Sequence, residues 1–375
     1  MGIYVHLPFC AKKCRYCDFL SFPNDDHEAH AYYANQLIME LVGKSVVYGN
    51  DFTVNTIFFG GGTPSLVDPS IIDEIADAVY SRFRVADDAE VSLEVNPGTA
   101  DENKLAAYRN AGVTRLSIGA QSFDSDTLKF LGRIHTERDT LRTFALARDV
   151  GFENVNIDLI FGMPDETPET WKRDIETAVA MEPEHISFYS LQIEEGTPLF
   201  GDMERGRFET LSDIDDRRMY HAAIETLEGA GYVHYEISNA AKPGFASRHN
   251  LKYWSMEDYL GVGLGAHSYA GGRRFANTDV WNDYMGACDH DMMTTWSHKN
   301  SRGEDISEYV FLGLRKTEGI DLEQFRRHFG KDFWEIYNEE TRMLMERGLL
   351  EHSDGILRLT RLGLDLSNRV FSEYV

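Results

Sequence analysis

No apolar run in this chain approaches the ~18–20 consecutive residues that cross a bilayer. No secretory leader is recognisable either, so the expected location is the cytoplasm, with no integral membrane segment. Basic residues are scarce. There are 37 Lys and Arg against 62 Asp and Glu, a formal net charge of −25. That field repels nucleic acid and anionic lipid surfaces, so neither is an expected partner. A small anionic ligand stays open, provided a few arginines converge locally. Internal repeats and low-complexity tracts are absent. Cysteine is sparse as well, at 4 residues, which suits a reducing compartment rather than a disulfide framework. What the chain does have is 375 residues, 42% of them hydrophobic. That is enough for one large α/β domain and a smaller second one.

Three of the four cysteines fall together, as Cys10, Cys14 and Cys17 in HLPFCAKKCRYCDF. The spacing C-x3-C-x2-C lets three thiolates converge from one loop. Iron–sulfur clusters are held by cysteine thiolates, and three ligands on a four-iron cube leave one iron open. The competing readings are a structural zinc site, which needs a fourth N or S ligand that only His6 is placed to supply, and a disulfide. Cys288 lies far from the triad and reads as an ordinary thiol.

Over residues 1–240 strands and helices alternate. IYVHLPF, VNTIFFG, EVSLEVN, TRLSIGA, NVNIDLI and HISFYSL have the β-branched, aromatic character of parallel strands. Helical patterns lie between them, including one with Tyr33, Leu37, Ile38 and Leu41 on one face, and PSIIDEIADAVYSRF. Six βα units predict a parallel sheet. Because polar, chemistry-bearing residues fall just after successive strands, the expected form is an incomplete (βα)6 barrel of the TIM type. Residues 241–300 read as a connecting segment that carries the motif HNLKYW and a glycine-rich stretch, YLGVGLGAHSYAGG. Residues 301–375 read as helices with one hairpin turning at Ser353–Gly355, a mostly helical, winged-helix-like domain. Its mixed charge favours packing or partner contact over DNA.

Gly60, Gly61 and Gly62 follow the strand VNTIFF, where bare backbone can approach a ligand. Glu94 ends EVSLEV, and a carboxylate there can accept hydrogen bonds from both hydroxyls of a ribose. Gln121, Arg133 and Asp158 also fall at or near strand ends. Asp158, between isoleucine and leucine, would be costly to bury without a partner.

With these pieces in order, the chain resembles radical-SAM proteins of the HemN/HemW group and lies nearer to the haem-chaperone branch, HemW. The resemblance rests on IYVHLPFCAKKCRYCDF, FFGGGTPS, LEVNP, GAQSF, NIDLIFGMP, HNLKYW and LTRLGLDLSN, which run over nearly the whole chain. It implies a 4Fe–4S cluster on Cys10, Cys14 and Cys17. It implies an S-adenosylmethionine site at Tyr4, Tyr16, Gly61, Gly62, Thr63, Glu94, Gln121, Arg133 and Asp158. It also implies haem b at His249, Asn250, Tyr253 and Trp254, with Arg248 and Lys252 near enough in sequence to meet propionates. On the residues alone, HNLKYW reads equally as a turn histidine beside two core aromatics.

The implied function is haem carriage and delivery to haem-accepting proteins, with no catalytic residue assigned and homodimerisation left open. The alternative is a radical-SAM enzyme that decarboxylates a porphyrinogen oxidatively. Phe19, where those oxidases carry a fourth cysteine, and the short stretch before Cys10 weigh against it. A pure interaction protein, docking a partner through its C-terminal module, is the third reading.

Overall fold

The computed structural model describes residues 1–49 and 52–375. Its centre is a sheet of parallel strands: β1 (Gly2–Leu7), β2 (Thr53–Gly61), β3 (Arg84–Val95), β4 (Arg115–Gln121), β5 (Val155–Phe161) and β6 (His185–Ser190). The helices between them are α1 (His27–Tyr48), α2 (Pro69–Arg82), α3 (Glu102–Asn110), α4 (Ser125–Leu131), α5 (Glu137–Val150) and α6 (Pro168–Ala180). Each helix starts where an Asp or Thr side chain accepts an otherwise orphaned backbone N–H. Asp26, Asp68, Asp101, Asp124, Thr136 and Thr167 take that role in turn.

The strands alternate strictly. Val91, Leu93, Leu116, Ile118, Val155, Ile157 and Ile186 join one apolar core with helix residues such as Ile75, Val79, Phe144, Trp171 and Ile175. The other face carries Glu94, Arg115, Ser117, Asn156, Asp158 and Ser187, which line a cavity. A barrel interior is ordinarily filled by branched apolar side chains. Here short polar residues and glycines leave it hollow.

The sheet does not close. Among the described residues it has twelve strands, with β1 to β6 in its middle. On one side, β7 (Val233–Glu236) and β8 (Asn239–Ala241) add antiparallel to β6, in the order β6-β8-β7. On the other, β9 (Tyr259–Val262) pairs parallel to β1, and β10 (His267–Ala270), β11 (Arg273–Asn277) and β12 (Thr294–Lys299) follow antiparallel. The chain is thus an incomplete α/β barrel, as expected, with more strands than the six βα units supplied. The glycine-rich stretch read as part of a connecting segment forms β9 and β10. Its glycines hid the strand pattern, yet Gly261 needs one, since a Cβ there would sit 2.1 Å from the His267 carbonyl oxygen.

A second apolar core lies in the C-terminal module, around Val310, Leu314, Phe325, Phe333, Leu344, Leu357 and Val370. Helices surround a small sheet whose hairpin, Leu350–Ser353 with Ile356–Leu359, turns through Asp354 and Gly355 at φ 53° and 81°. Two successive positive φ values match the right-handed twist of a two-residue hairpin. The module abuts the barrel beside β7, where Thr317 Oγ1 donates to the His234 carbonyl (2.7 Å) and Arg315 lies 4.1 Å over the Trp254 ring.

Candidate functional site

Beyond the ends of β1 and β2 the cysteine loop is hung on the barrel at several points. The Gly62 and Thr63 amides donate to the carbonyls of Leu7 (2.8 Å) and Phe9 (2.7 Å). Arg15 is the strut. Its amide donates to Leu131 O (3.0 Å), its carbonyl accepts from the Leu199 amide (3.0 Å), and its guanidinium bonds Phe130 O (2.8 Å) and pairs with Asp202. A polar chain then joins two of the thiols. Thr63 Oγ1 reaches Cys10 Sγ (3.6 Å) and accepts from Asn96 Nδ2 (2.7 Å). Asn96 Oδ1 accepts from Arg133 Nη2 (2.6 Å), and Arg133 Nη1 reaches Cys14 Sγ (3.5 Å). Donors to sulfur of this kind orient metal-binding thiolates and tune what they hold.

The three thiols are free and share the cavity wall. Among the described residues no three His, Cys, Asp or Glu side chains close on a single metal ion. Three thiols from one loop on the cavity wall match ligands of separate irons in a cluster, whereas a structural zinc site would need a fourth N or S ligand. His6 is not a spare fourth ligand. Its Nε2 must donate to the Leu20 carbonyl (2.8 Å), so its Nδ1 accepts from the Tyr4 hydroxyl (3.0 Å). Burial pushes the Cys10 and Cys17 thiols up, an effect that a bound cation opposes. The loop thus fits a three-thiolate cluster.

The cavity beneath the loop has a volume of about 950 Å³. Tyr4, Tyr16, Gly61, Gly62, Thr63, Glu94, Gln121, Arg133 and Asp158 all line it, as do His249, Asn250 and Tyr253. Gln121 sits at φ 65° just past a bulge in β4, a left-handed conformation that a non-glycine residue holds only under constraint. The first requirement on the glycines is internal. A Cβ on Gly61 would meet the His6 ring at 2.5 Å, and one on Gly62 would meet the Phe9 carbonyl oxygen at 2.5 Å.

The carboxylates differ in how they are satisfied. Asp158 accepts from Ser117 Oγ (2.9 Å) and Asn156 Nδ2 (2.8 Å), yet burial still raises its proton affinity. Glu94 accepts from the Gly61 amide (3.1 Å). Burial first, and then the Asp158 charge, push it up to about 8, against relief from that amide and from Arg115. Glu94 is thus neutral near pH 7. Around it stand the Gly61 amide from β2, Arg115 from β4, Asp158 from β5 and the Tyr4 ring from β1.

Because the folded carboxyl keeps its proton up to about 8 and an unfolded one loses it near 4.5, this group's stabilisation is full in acid. It is lost as pH rises between those values. Glu94→Gln is therefore expected to melt with wild type near about pH 5 and progressively above it toward about pH 9. Thermal denaturation across that range checks this, and parallel curves would show that Glu94 is not held protonated.

The HNLKYW segment forms a short helix, Arg248–Trp254, whose first amides donate to Glu90. His249 is 1% exposed. Its Nδ1 bonds Thr56 Oγ1 (2.9 Å) and its Nε2 bonds the Tyr253 hydroxyl (2.8 Å). Burial, with help from Lys252 and Arg115, pushes it down to about 3, so it is neutral.

Trp254 is the one candidate not brought to the cavity. It packs under Arg315 of the C-terminal module, because neighbours on a helix point ~100° apart. The flanking cations are also engaged elsewhere, Arg248 with Asp88 (3.4 Å) and Lys252 with Glu257 (2.5 Å). Two wall residues outside the sequence reading are Asn96, which links both thiol contacts, and Arg115. The period-two run Arg115, Ser117, Gly119, in phase with Gln121 before the bulge, was the available signal for the second.

The profile of the Radical SAM superfamily matches residues 4–178, and that of the HemN C-terminal domain matches residues 300–366. A heme chaperone HemW from Bacillus subtilis is 35% identical, over 99% of this chain and 98% of that protein. A heme chaperone HemW from Escherichia coli is 41% identical over 71% of this chain and 69% of its own length. Among solved structures, coproporphyrinogen III oxidase (HemN) from Escherichia coli superposes with a TM-score of 0.87. It covers 100% of this chain and 89% of its own, at 22% identity. At that identity the likeness speaks to fold alone.

Proposed function

The chain belongs to the HemW family of radical-SAM proteins, and from that premise we propose that it is a haem chaperone. On this reading it holds a 4Fe–4S cluster on Cys10, Cys14 and Cys17, S-adenosylmethionine above Glu94 and Asp158, and haem b beside His249, and passes the haem to an acceptor protein. The observation that carries the reading is that one cavity of about 950 Å³ is shared by the thiol loop, the candidate nucleoside residues and the HNLKYW helix. Ligand cavities generally span ~300–1,000 Å³.

When bound, the cluster supplies an open iron for the amino acid end of S-adenosylmethionine and a source of one electron. The rest falls to side chains. Glu94 would meet ribose hydroxyls, and Arg133, braced by Asn96, orients Cys14 by direct contact. Phe19 and Ile134 stand exposed at the cavity wall, an apolar entrance suited to a flat macrocycle.

His249 is neutral, the form that ligates iron, but its Nε2 is occupied by Tyr253. Axial ligation therefore requires the Tyr253 hydroxyl to move aside. Titration of haem into the protein, followed at the Soret band, tests both points. Wild type is expected to give a saturable shift, His249→Ala to bind at least about tenfold more weakly, and Tyr253→Phe to bind as well or better because the competing hydroxyl is gone. Equal binding by His249→Ala would place the ligand elsewhere, and no saturable shift in wild type would sink haem carriage.

A further inference from the structure

We infer that Arg115 is the anchor for a ligand carboxylate at the inner end of the cavity, and that this carboxylate is a tetrapyrrole propionate. The second half rests on the haem-chaperone reading; the first rests on geometry. Arg115 opens β4, faces Ser92 on β3, and shares a register with Phe58 and Tyr4 further round the wall. It lines the cavity yet is only 2% exposed. Its Nε has no hydrogen-bond partner, and neither does the buried hydroxyl of Ser92 opposite it.

Other cations around the cavity and the HNLKYW helix are engaged, Arg133 with Asn96 and Gly119, Lys13 with the Phe19 carbonyl, Arg15 with Asp202, Arg248 with Asp88, and Lys252 with Glu257, while Lys12 on the cavity wall is exposed to solvent. Among the described residues Arg115 has no such partner. The nearby acids Asp158 and Glu94 feel its charge but do not hydrogen-bond it. Asp158 is turned to Ser117 and Asn156, and Glu94 to the Gly61 amide.

A buried guanidinium whose N–H groups lack hydrogen-bond partners costs free energy. An anionic ligand that enters the cavity removes that cost, and a carboxylate matches the planar fork in a bidentate pair. The location selects among carboxylates. The charge of Arg115 is felt by His249, and the His249 ring lies 5.3 Å from that of Phe58, in the same layer as Arg115. The methionine carboxylate belongs with the cysteine loop at the opposite, outer end. A macrocycle beside His249 brings its propionate edge to Arg115. In a chain of net charge −25, a buried cation that no acid hydrogen-bonds also favours the admission of an anionic ligand.

Metal-free protoporphyrin IX and its dimethyl ester provide the test, because neither depends on iron ligation by His249. Binding is measured by absorbance for wild type, Arg115→Met and Arg115→Lys. S-adenosylmethionine binding to cluster-reconstituted protein is measured in parallel by equilibrium dialysis. Wild type is expected to prefer the free acid over the ester by about tenfold or more. Arg115→Met should lose that preference by weakening the acid alone, Arg115→Lys should keep part of it, and S-adenosylmethionine affinity should stay within about twofold.

The unliganded Arg115→Met protein should melt no lower than wild type, since it no longer buries a guanidinium without hydrogen-bond partners. A lower melting temperature with the acid preference intact would make Arg115 structural and overturn the inference. Weakened S-adenosylmethionine with unchanged porphyrin binding would assign the carboxylate to methionine and overturn the propionate. Binding of neither porphyrin by wild type would instead fail the chaperone reading and the propionate with it. The S-adenosylmethionine arm alone would then decide whether Arg115 anchors any carboxylate.

Discussion

Alanine at any one of Cys10, Cys14 or Cys17 is expected to leave the anaerobically reconstituted protein with only traces of bound iron and sulfide, and without the brown absorption of a cluster. Three thiolates already leave one iron of a cube without a protein ligand; removal of one more leaves two irons without one. The loop offers no replacement, because both His6 nitrogens are engaged with Tyr4 and the Leu20 carbonyl. Cys288 is exposed and outside the cavity wall, so Cys288→Ala should reconstitute fully. The fold should tolerate all four changes, since Arg15, Gly62 and Thr63 suspend the loop by contacts that involve no thiol. Iron and sulfide analysis with a thermal melt checks the set. Full cluster content in Cys14→Ala, or loss in Cys288→Ala, would refute the assignment.

The largest effect on stability is expected from Lys44→Met, at about 3–5 kcal/mol. Lys44 and Glu40 form an ion pair on α1 with Nζ to Oε1 at 2.6 Å, and both side chains are almost wholly buried, at 2% and 0% exposure. Lys44 also donates to the Gly261 carbonyl (2.7 Å) at β9. Glu40 accepts from the Gly263 amide (2.8 Å), the Tyr284 hydroxyl (2.7 Å) and Asn277 Nδ2 (2.7 Å). The pair thus fastens α1 to the strands that extend the barrel beyond β1.

Removal of the lysine alone strands a buried carboxylate, and that uncompensated charge, rather than the lost attraction, sets the cost. Lys44→Met with Glu40→Leu should recover a good part of the loss. Urea unfolding of the single and double variants measures both. A single variant within about 1 kcal/mol of wild type would show that the carboxylate finds a proton or water at little cost.

The barrel strands and the cysteine loop were legible in the sequence because each is a local pattern: six β-rich runs separated by helical ones, and three thiols within eight residues. The hairpin at Ser353–Gly355 was legible for the same reason, since turn chemistry depends on adjacent residues. Local pattern was a poorer guide around residues 259–272. There the glycines that let β9 and β10 approach each other also erased the apolar alternation that marks a strand, and the strand that seats β9 in the sheet is β1, some 250 residues away in the chain.

Side-chain direction and charge pairing were decided only by the tertiary structure. Tyr253 and Trp254 are neighbours in one motif, yet one turns to the cavity and the other to the C-terminal module. Arg248 and Lys252 sit beside His249 in sequence but are paired with Asp88 and Glu257. Arg115, more than a hundred residues from that histidine, is a buried cation on the cavity wall that no acid hydrogen-bonds. A motif fixes which residues travel together along the chain. Which of them meet a ligand depends on where every other charge in the fold finds its partner, and that pairing is long-range.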